Sequence, residues 1–376
     1  MTIGFDAKRA FNNTTGLGTY SRTLIEGLLR FEPSQRYVLF TPSERIRFIE
    51  GTSTVSIIKP QHFLHRQFPW YWRSFYLPVE ERNAGLDIYH GLSNELPFGK
   101  APAGIRQVVT IHDLIFLKYP QYYSWIDRAI YEMKVRHSCQ IADCIIAVSE
   151  QTKRDLAEWL PDTEEKIKVV YQSCAPAFEK EIAPDELARI KGKYGLPERF
   201  ILYVGTLSER KNLLNAVKAF SSIAGAAEDV HLILAGEGGA YKLQLERLAQ
   251  SLGLNGRVRL ISGISDVELP AVYRSASLFV YPSVYEGFGI PIMEALWSRV
   301  PVVATRGGCF PEAGGPHSCY VNTEDADALA RAMLEVLTNR QRAVMMAEEG
   351  ARYAEKFRGE AAVRRMMRIY EAGAGW

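Results

Sequence analysis

Glu286 and Glu294 stand eight residues apart around Gly287-Phe288-Gly289-Ile290-Pro291, a glycine-flanked turn that opens onto an apolar helical run. Glycines at 287 and 289 let backbone amides approach a ligand with no side chain in the way, and Pro291 suits the first helical position, where its missing N–H costs nothing. The opening of such a helix attracts phosphate. In the first turn Glu294 offers a carboxylate to two vicinal ribose hydroxyls, while Glu286, ahead of the turn, lies nearer the group that the phosphate carries. The same residues also make an ordinary capped helix. Two carboxylates are the tools of a glycosidase too, but hydrolysis needs both beside one bond. An acid before a turn with another inside the following helix fits two ends of a longer ligand better.

Ligands of doubly wound sheets bind beyond the carboxyl ends of the strands, so the residues that follow each expected strand come next. After the strand at 200–204 run Gly205-Thr206-Leu207-Ser208-Glu209-Arg210-Lys211. There Arg210 and Lys211 face the start of a helix and can neutralise a diphosphate leaving group, although a solvated cation pair reads the same. After 108–111 come His112 and Asp113. A lone histidine is more often structural than catalytic, but at a strand end His112 can donate a hydrogen bond to a sugar hydroxyl or to developing charge, with Asp113 orienting it. Between the first strand and a helix expected at 22–30, residues 11–21 read as a long loop bearing Gly16 and Gly18. The third glycine of a dinucleotide fingerprint is Ser21 here, and no acid closes the strand at 37–40, so NAD binding is disfavoured. A glycine-rich loop directed at a phosphate or an acceptor fits instead.

These residues need elements to position them. The chain has 376 residues, enough for two α/β domains of about 150 to 200 residues each. Short β-branched runs alternate with amphipathic helical stretches: strands are expected at 37–40, 55–58, 88–90, 108–111, 144–148 and 167–170. The pattern restarts after a helical stretch at 184–197, with strands at 200–204, 231–235, 258–261, 278–281, 301–304 and 319–321. The alternation implies parallel, doubly wound sheets in two Rossmann-like domains joined near residues 175–197. From 328 onward the chain reads as helix, and Val363, Met366, Met367 and Tyr370 recur at the spacing of a helix packed on a domain.

Composition narrows the function classes. With 47% hydrophobic and 23% charged residues the chain is a globular protein. Its 45 Lys plus Arg against 43 Asp plus Glu leave a net charge of +2, which favours neither nucleic acid nor any strong counter-ion field. Cysteines at 139, 144, 174, 309 and 319 form no metal-ligand spacing and read as reduced thiols. The start MTIGFDAKRA carries no leader pattern and no unbroken apolar run reaches about 18 residues; a cytoplasmic protein, able to lie against the inner membrane face, is expected.

The set TGLGTYSR (15–22), HDL (112–114), AVSEQTKRDL (147–156), VGTLSERKN (204–212), LAGEGG (234–239) and YEGFGIPIMEA (285–295), in this order and on these elements, resembles a retaining glycosyltransferase of family 4. The resemblance covers nearly the whole chain and is most specific in the two glutamates combined with the upstream Arg-Lys. It implies the GT-B fold: two Rossmann-like parallel-sheet domains facing a cleft, residues 1–180 plus a C-terminal helix at 357–376 binding the acceptor, and residues 190–356 binding a nucleotide-sugar donor. It further implies that Glu294 holds the donor ribose and Glu286 lies by the donor sugar. The backbone of Gly287, Phe288, Gly289 and Ile290 would meet sugar and diphosphate, with Gly205, Arg210 and Lys211 at the phosphates. His112 would be the cleft histidine, and Gly16 and Gly18 the N-terminal loop facing the diphosphate. His112, Glu286, Arg210 and Lys211 then form the catalytic group, with no metal and no cofactor.

The stretch HDLIFLKYPQYYS (112–124) is similar to mannosyltransferases that build O-antigen or capsular polysaccharide, whereas GGCFPE (307–312) keeps only part of the usual pattern. The reaction so implied moves a hexose onto a glycan or polyprenyl-linked glycan, with mannose from GDP-mannose as the first choice and a UDP-sugar such as UDP-glucose as the alternative. A nucleotide-sugar epimerase, with Glu286 or His112 as the base, and a non-catalytic nucleotide-sugar binder stand as further readings.

Residues 51–79 hold no Asp or Glu, while Lys59, His62, His65, Arg66 and Arg73 alternate with Phe63, Phe68, Trp70, Tyr71, Trp72, Phe75 and Tyr76. Such a segment suits an anionic lipid-linked acceptor or a membrane face. Helical spacing of Trp72, Phe75 and Tyr76 gives the competing expectation of a core-facing helix.

Overall fold

The computed structural model describes residues 1–99 and 101–372. They divide into two compact units, one of Met1–Ser173 joined by the chain from Phe357 onward, the other of Cys174–Lys356.

Among the described residues the first unit holds a seven-stranded sheet of β1 (Thr2–Asp6), β2 (Arg36–Phe40), β3 (Val55–Ile58), β4 (Ile88–Gly91), β5 (Arg106–Ile111), β6 (Cys144–Ala147) and β7 (Ile167–Val169). The order is β3-β2-β1-β4-β5-β6-β7 and every pair is parallel. Strand order reverses between β1 and β4, which makes the carboxyl ends of these strands the switch point where doubly wound sheets take ligands. Alternate residues feed opposite faces. Val108 and Ile146 pack with Leu24 and Leu28 of the helix Gly16–Phe31 and with the last helix, Gly359–Glu371; Val109 and Ile145 pack on the other face with Trp72, Leu77, Val135 and Cys139.

The last helix lays Val363, Met366, Met367 and Tyr370 into the first core, the positions its sequence period singled out. The Tyr370 hydroxyl lies 2.6 Å from His90 Nδ1, and Arg106 donates to the Ile369 carbonyl. Residues 373–376, assigned to this helix in the sequence analysis, lie outside the described residues.

The second unit repeats the plan with β8 (Arg199–Val204), β9 (Val230–Ala235), β10 (Val258–Ile261), β11 (Leu278–Tyr281), β12 (Val302–Thr305) and β13 (Cys319–Val321), ordered β10-β9-β8-β11-β12-β13 and parallel throughout. Phe200, Ile201, Leu202 and Tyr203 are all fully buried, as befits a strand covered by helices on both faces. Here the order reverses between β8 and β11. The five cysteines are free thiols, and among the described residues no helix is long and apolar enough to cross a membrane.

Two expectations change. The glycine-bearing stretch is no loop: the helix starts at Gly16 and runs to Phe31, because Asn13 Oδ1 accepts from the amides of Thr15 (2.8 Å) and Gly18 (3.3 Å) and ties the turn down. Gly18 packs so closely that an added Cβ would lie 1.9 Å from the Asn13 carbonyl oxygen, whereas the space around Gly16 is open. The aromatic segment is also divided. Trp72 is wholly buried in the core, and Arg73 is withdrawn into ion pairs with Asp6 (2.5 Å) and Glu95 (2.6 Å), so neither meets an outside ligand. Phe75, expected on the core face, is instead half exposed.

Candidate active site

At the end of β8 the chain must turn sharply. Gly205 takes φ +145°, and an added Cβ would lie 2.8 Å from the Tyr203 hydroxyl, so only glycine fits without displacement. A single 3-10 turn, Glu209–Lys211, follows, and Asn212 (φ +55°) starts the helix Leu213–Ile223. The Arg210 carbonyl accepts from Val284 N at 2.9 Å, which binds this turn to the loop beyond β11. Two adjacent strand ends, β8 and β11, thereby bring Arg210 and Lys211 against Glu286.

The contact is dense. Glu286 Oε1 accepts from Arg210 (2.9 Å), from Lys211, from Ser283 Oγ (2.5 Å) and from the Tyr281 hydroxyl (3.2 Å). Lys211 Nζ also donates to the Tyr281 hydroxyl at 3.0 Å, and Arg210 to the Tyr285 carbonyl. Burial alone would raise the Glu286 carboxyl, but the Lys211 and Arg210 charges outweigh it and hold the group at about 2. Glu286 is therefore ionised and seated on both cations.

Gly289 (φ +112°) then caps the helix Ile290–Trp297. Since the glycine takes up the turn, Pro291 is the second helical residue and Glu294 the fifth, one residue deeper than the sequence analysis has it. Pro291 brings no N–H to the opening of this helix, and Ile292 and Met293 donate to the Gly289 carbonyl (2.9 and 3.5 Å), so the opening offers the Ile290 amide and the positive end of the helix dipole at the carboxyl end of the sheet, where the cations lie. Glu294 is 7% exposed, and its Oε2 accepts from the Tyr273 hydroxyl at 2.8 Å. Burial pushes its carboxyl up to about 7 against the pull of that hydroxyl. The two glutamates of one motif thus differ in charge state: Glu286 is fixed as an anion, while Glu294 titrates near neutrality.

In the first unit His112 follows β5 and is buried against the edge of Tyr20, with ring centroids 4.7 Å apart. Its Nε2 donates to the Leu92 carbonyl at 2.9 Å, which leaves Nδ1 to accept from Gln172 Nε2 at 3.0 Å, and its backbone amide donates to Asn94 Oδ1. Burial lowers its pKa to about 4 despite the Leu92 bond. The histidine is neutral with both nitrogens engaged, so the expected free donor is not there until a ligand displaces one of those partners. Asp113 does not orient the ring; its Oδ1 accepts from the Ile115 amide.

His112 and His90, the latter lowered by burial and by His112 to about 3, give a stability prediction. A neutral buried histidine stabilises above the unfolded pKa of 6.5, and that contribution is lost as pH falls from 6.5 towards the folded values. Glu81 and Glu294, each raised by burial to about 7, act in the opposite sense between 4.5 and 7. The informative quantity is therefore a difference. Urea unfolding of wild type and His112→Gln should show a stability gap that is constant above pH 6.5 and narrows by about 1.4 kcal/mol per unit below it. A gap that does not change with pH would mean that His112 titrates in the fold as it does in the unfolded chain.

Tyr273, Tyr281, Ser283 and Gln172 were not singled out by sequence. They reach the site across 21, 5, 3 and 60 residues of separation from their partners, and only Ser283, three residues ahead of Glu286, lies within reach of a local pattern.

With this geometry in view, the likeness to known proteins is specific. Residues 14–174 match the family model described as Glycosyltransferase Family 4, and residues 186–353 match the one described as Glycosyl transferases group 1, one model on each compact unit. The chain is 28% identical over 372 residues to O-antigen chain mannosyltransferase B of Escherichia coli, covering 95% of this chain and 96% of that protein. It is 33% identical over 181 residues, 46% of this chain and 47% of the relative, to a GDP-mannose-dependent alpha-(1-6)-phosphatidylinositol monomannoside mannosyltransferase of Mycolicibacterium smegmatis. Sucrose-phosphate synthase from Thermosynechococcus elongatus shares the fold at TM-score 0.79 and 21% identity over 100% of this chain and 99% of that one. A family 4 module followed by a group 1 module on two parallel-sheet units makes this chain a member of the glycosyltransferases, with the GT-B fold.

Proposed function

We propose that the protein transfers a mannosyl residue from GDP-mannose to a hydroxyl of a glycan or polyprenyl-linked glycan, with retention of configuration and without a metal ion. The observation that carries this reading is the pair Arg210 and Lys211, fixed on Glu286 at the strand ends beside the opening of the helix Ile290–Trp297. Two preorganised cations and the positive end of a helix suit a diphosphate leaving group, whose charge grows as the sugar departs. The choice of GDP-mannose draws on the relatives, which are named as mannosyltransferases, one of them GDP-mannose-dependent.

The chemistry follows from those positions. The bond between C1 of mannose and the diphosphate oxygen breaks, its electron pair leaving with the phosphate and an oxocarbenium-like sugar forming. The acceptor hydroxyl adds to C1 on the face the phosphate has left, and the departing phosphate oxygen takes the hydroxyl proton. Arg210 and Lys211 stabilise the diphosphate. Glu286 keeps them oriented through Oε1, and its Oε2, which carries none of those bonds, is the atom we assign to a hydroxyl of the donor sugar. Glu294 takes the ribose, and the first unit takes the acceptor.

Incubation with GDP-[14C]mannose and a polyprenyl-linked glycan fraction in D2O tests this. Label should enter the glycan as the α-anomer, and chelator should leave the rate unchanged. Exchange of deuterium into the sugar's C–H positions would instead identify an epimerase, and transfer from UDP-glucose in preference to GDP-mannose would overturn the donor.

A further inference from the structure

We propose that Thr323 is a positioning residue for the transfer reaction, fastening the turn that carries Arg210 and Lys211 to the loop that carries Glu286. The inference rests on the reading that these two cations and this carboxylate serve the reaction. The strand ends that bear them, β8 and β11, are neighbours in the sheet, but the tie between them comes from β12 and β13.

Thr323 lies two residues past the end of β13 and is 1% exposed. Its hydroxyl sits 2.9 Å from that of Thr305, the last residue of β12, and 3.2 Å from the Pro282 carbonyl. Thr305 donates to the Ser283 carbonyl at 2.7 Å. With that proton engaged, the Thr305 oxygen accepts from Thr323, which shares its own proton with the Pro282 carbonyl. The backbone at 282–283 is thus held directly and through Thr305, and Ser283 passes the hold on by donating to Glu286 Oε1 (2.5 Å).

The carbonyl of the same threonine grips the other loop. It accepts from Asn212 Nδ2 at 2.8 Å and from Asn215 Nδ2 at 3.2 Å. Asn212 follows Lys211 directly and holds φ +55°, a left-handed conformation that asparagine tolerates better than most residues. Thr323 thereby reaches the β8 turn from a strand end three places away in the sheet. Ionic attraction between Glu286 and the cations falls off slowly with distance and fixes no direction, whereas hydrogen bonds weaken steeply off line. Aim is what the reaction needs, since a misplacement of about 1 Å can cost about a hundredfold in rate.

Steady-state kinetics test the proposal, run with the nucleotide sugar that wild type turns over fastest, so that a donor other than GDP-mannose overturns that assignment and leaves this test standing. Folded Thr323→Val should lose about tenfold or more in kcat with the donor KM within about threefold of wild type, and Thr323→Ser, which keeps the hydroxyl, should recover most of the loss. Asn212→Gly keeps the left-handed backbone, removes a donor to the Thr323 carbonyl and should lower kcat in the same sense. Thr163→Val is the control: it deletes a buried hydroxyl that donates to the Leu160 carbonyl (2.8 Å) in the first unit, so it should lower the melting temperature and leave kcat unchanged. In a Lys211→Ala background the cost of Thr323→Val should shrink to less than about threefold, because no lysine remains to be aimed. Hydrogen exchange needs no donor: the Val284 amide, which donates to the Arg210 carbonyl, should exchange faster in Thr323→Val. Unchanged exchange, or a folded Thr323→Val with kcat within about twofold of wild type, overturns the proposal. So does a full tenfold loss repeated on top of Lys211→Ala, which would make Thr323 structural only.

Discussion

Lys211→Ala is expected to lower kcat by about a hundred- to a thousandfold, the cost of removing one preorganised charge donor from a buried site. Lys211 Nζ is held by Tyr281 and Glu286, and the residue is only 7% exposed, so solvent cannot replace its charge. The diphosphate gains negative charge as the C1–O bond breaks, so the loss falls more on kcat than on KM for the donor. Lys211→Arg should recover little, because the compact ammonium fits between a phenol and a carboxylate where a planar guanidinium does not. Removing the lysine also leaves Glu286 with Arg210 as its remaining cationic partner, so a lower melting temperature is expected. Steady-state kinetics on variants shown to be folded decide the matter: a kcat within about threefold of wild type would remove Lys211 from the reaction.

Glu294→Ala is expected to weaken donor binding by about 1 to 3 kcal/mol, roughly five- to 150-fold. The Tyr273 hydroxyl already donates to Oε2. A ribose diol adds two donors, which an ionised carboxylate can accept and a protonated one only in part. With the carboxyl at about 7 in the unliganded protein, affinity for the donor should strengthen as pH rises from 6 to 8. The phosphates of a nucleotide-diphosphate sugar do not titrate there, so the dependence belongs to the protein. Glu294→Gln should flatten it. A wild-type affinity that stays level over that range would contradict the ribose assignment, as would a pH dependence that survives in the glutamine variant.

Much of the architecture was legible because parallel strands covered on both faces must be continuous apolar runs. Residues 200–204 and 278–281 announce themselves this way, and they are strands in the structure. The start of the helix Gly16–Phe31 was not legible by propensity, since Asn, Thr and Gly are weak helix formers; the turn is tied by the side chain of Asn13, two residues ahead of the cap residue Thr15. Period likewise could not sort the aromatic segment, in which Trp72 points inward while Phe75, three residues on, stays half exposed. One helical face is no guide where the helix changes to a π turn at Trp72–Tyr76.

The site divides in the same way. That Arg210, Lys211 and Glu286 each follow a strand end could be read from the sequence. That Glu286 rests on both cations, and Glu294 on a phenol, could not, because the first contact depends on how the loop beyond β11 folds onto the turn after β8 and the second on how the helix Ile290–Trp297 meets the helix Leu269–Arg274. His112 shows the limit most plainly: a strand-end histidine reads as a free donor, and Leu92 and Gln172, 20 and 60 residues away, use both of its nitrogens.

Calorimetric titration of GDP-mannose, UDP-glucose and ADP-glucose into the wild-type protein, followed by the tightest of them into Glu294→Ala, tests the donor site most directly. GDP-mannose should bind tightest, and the folded Glu294→Ala protein should bind it at least about fivefold more weakly. Tighter binding of a UDP-sugar, or equal binding of GDP-mannose by wild type and the folded variant, would contradict the account.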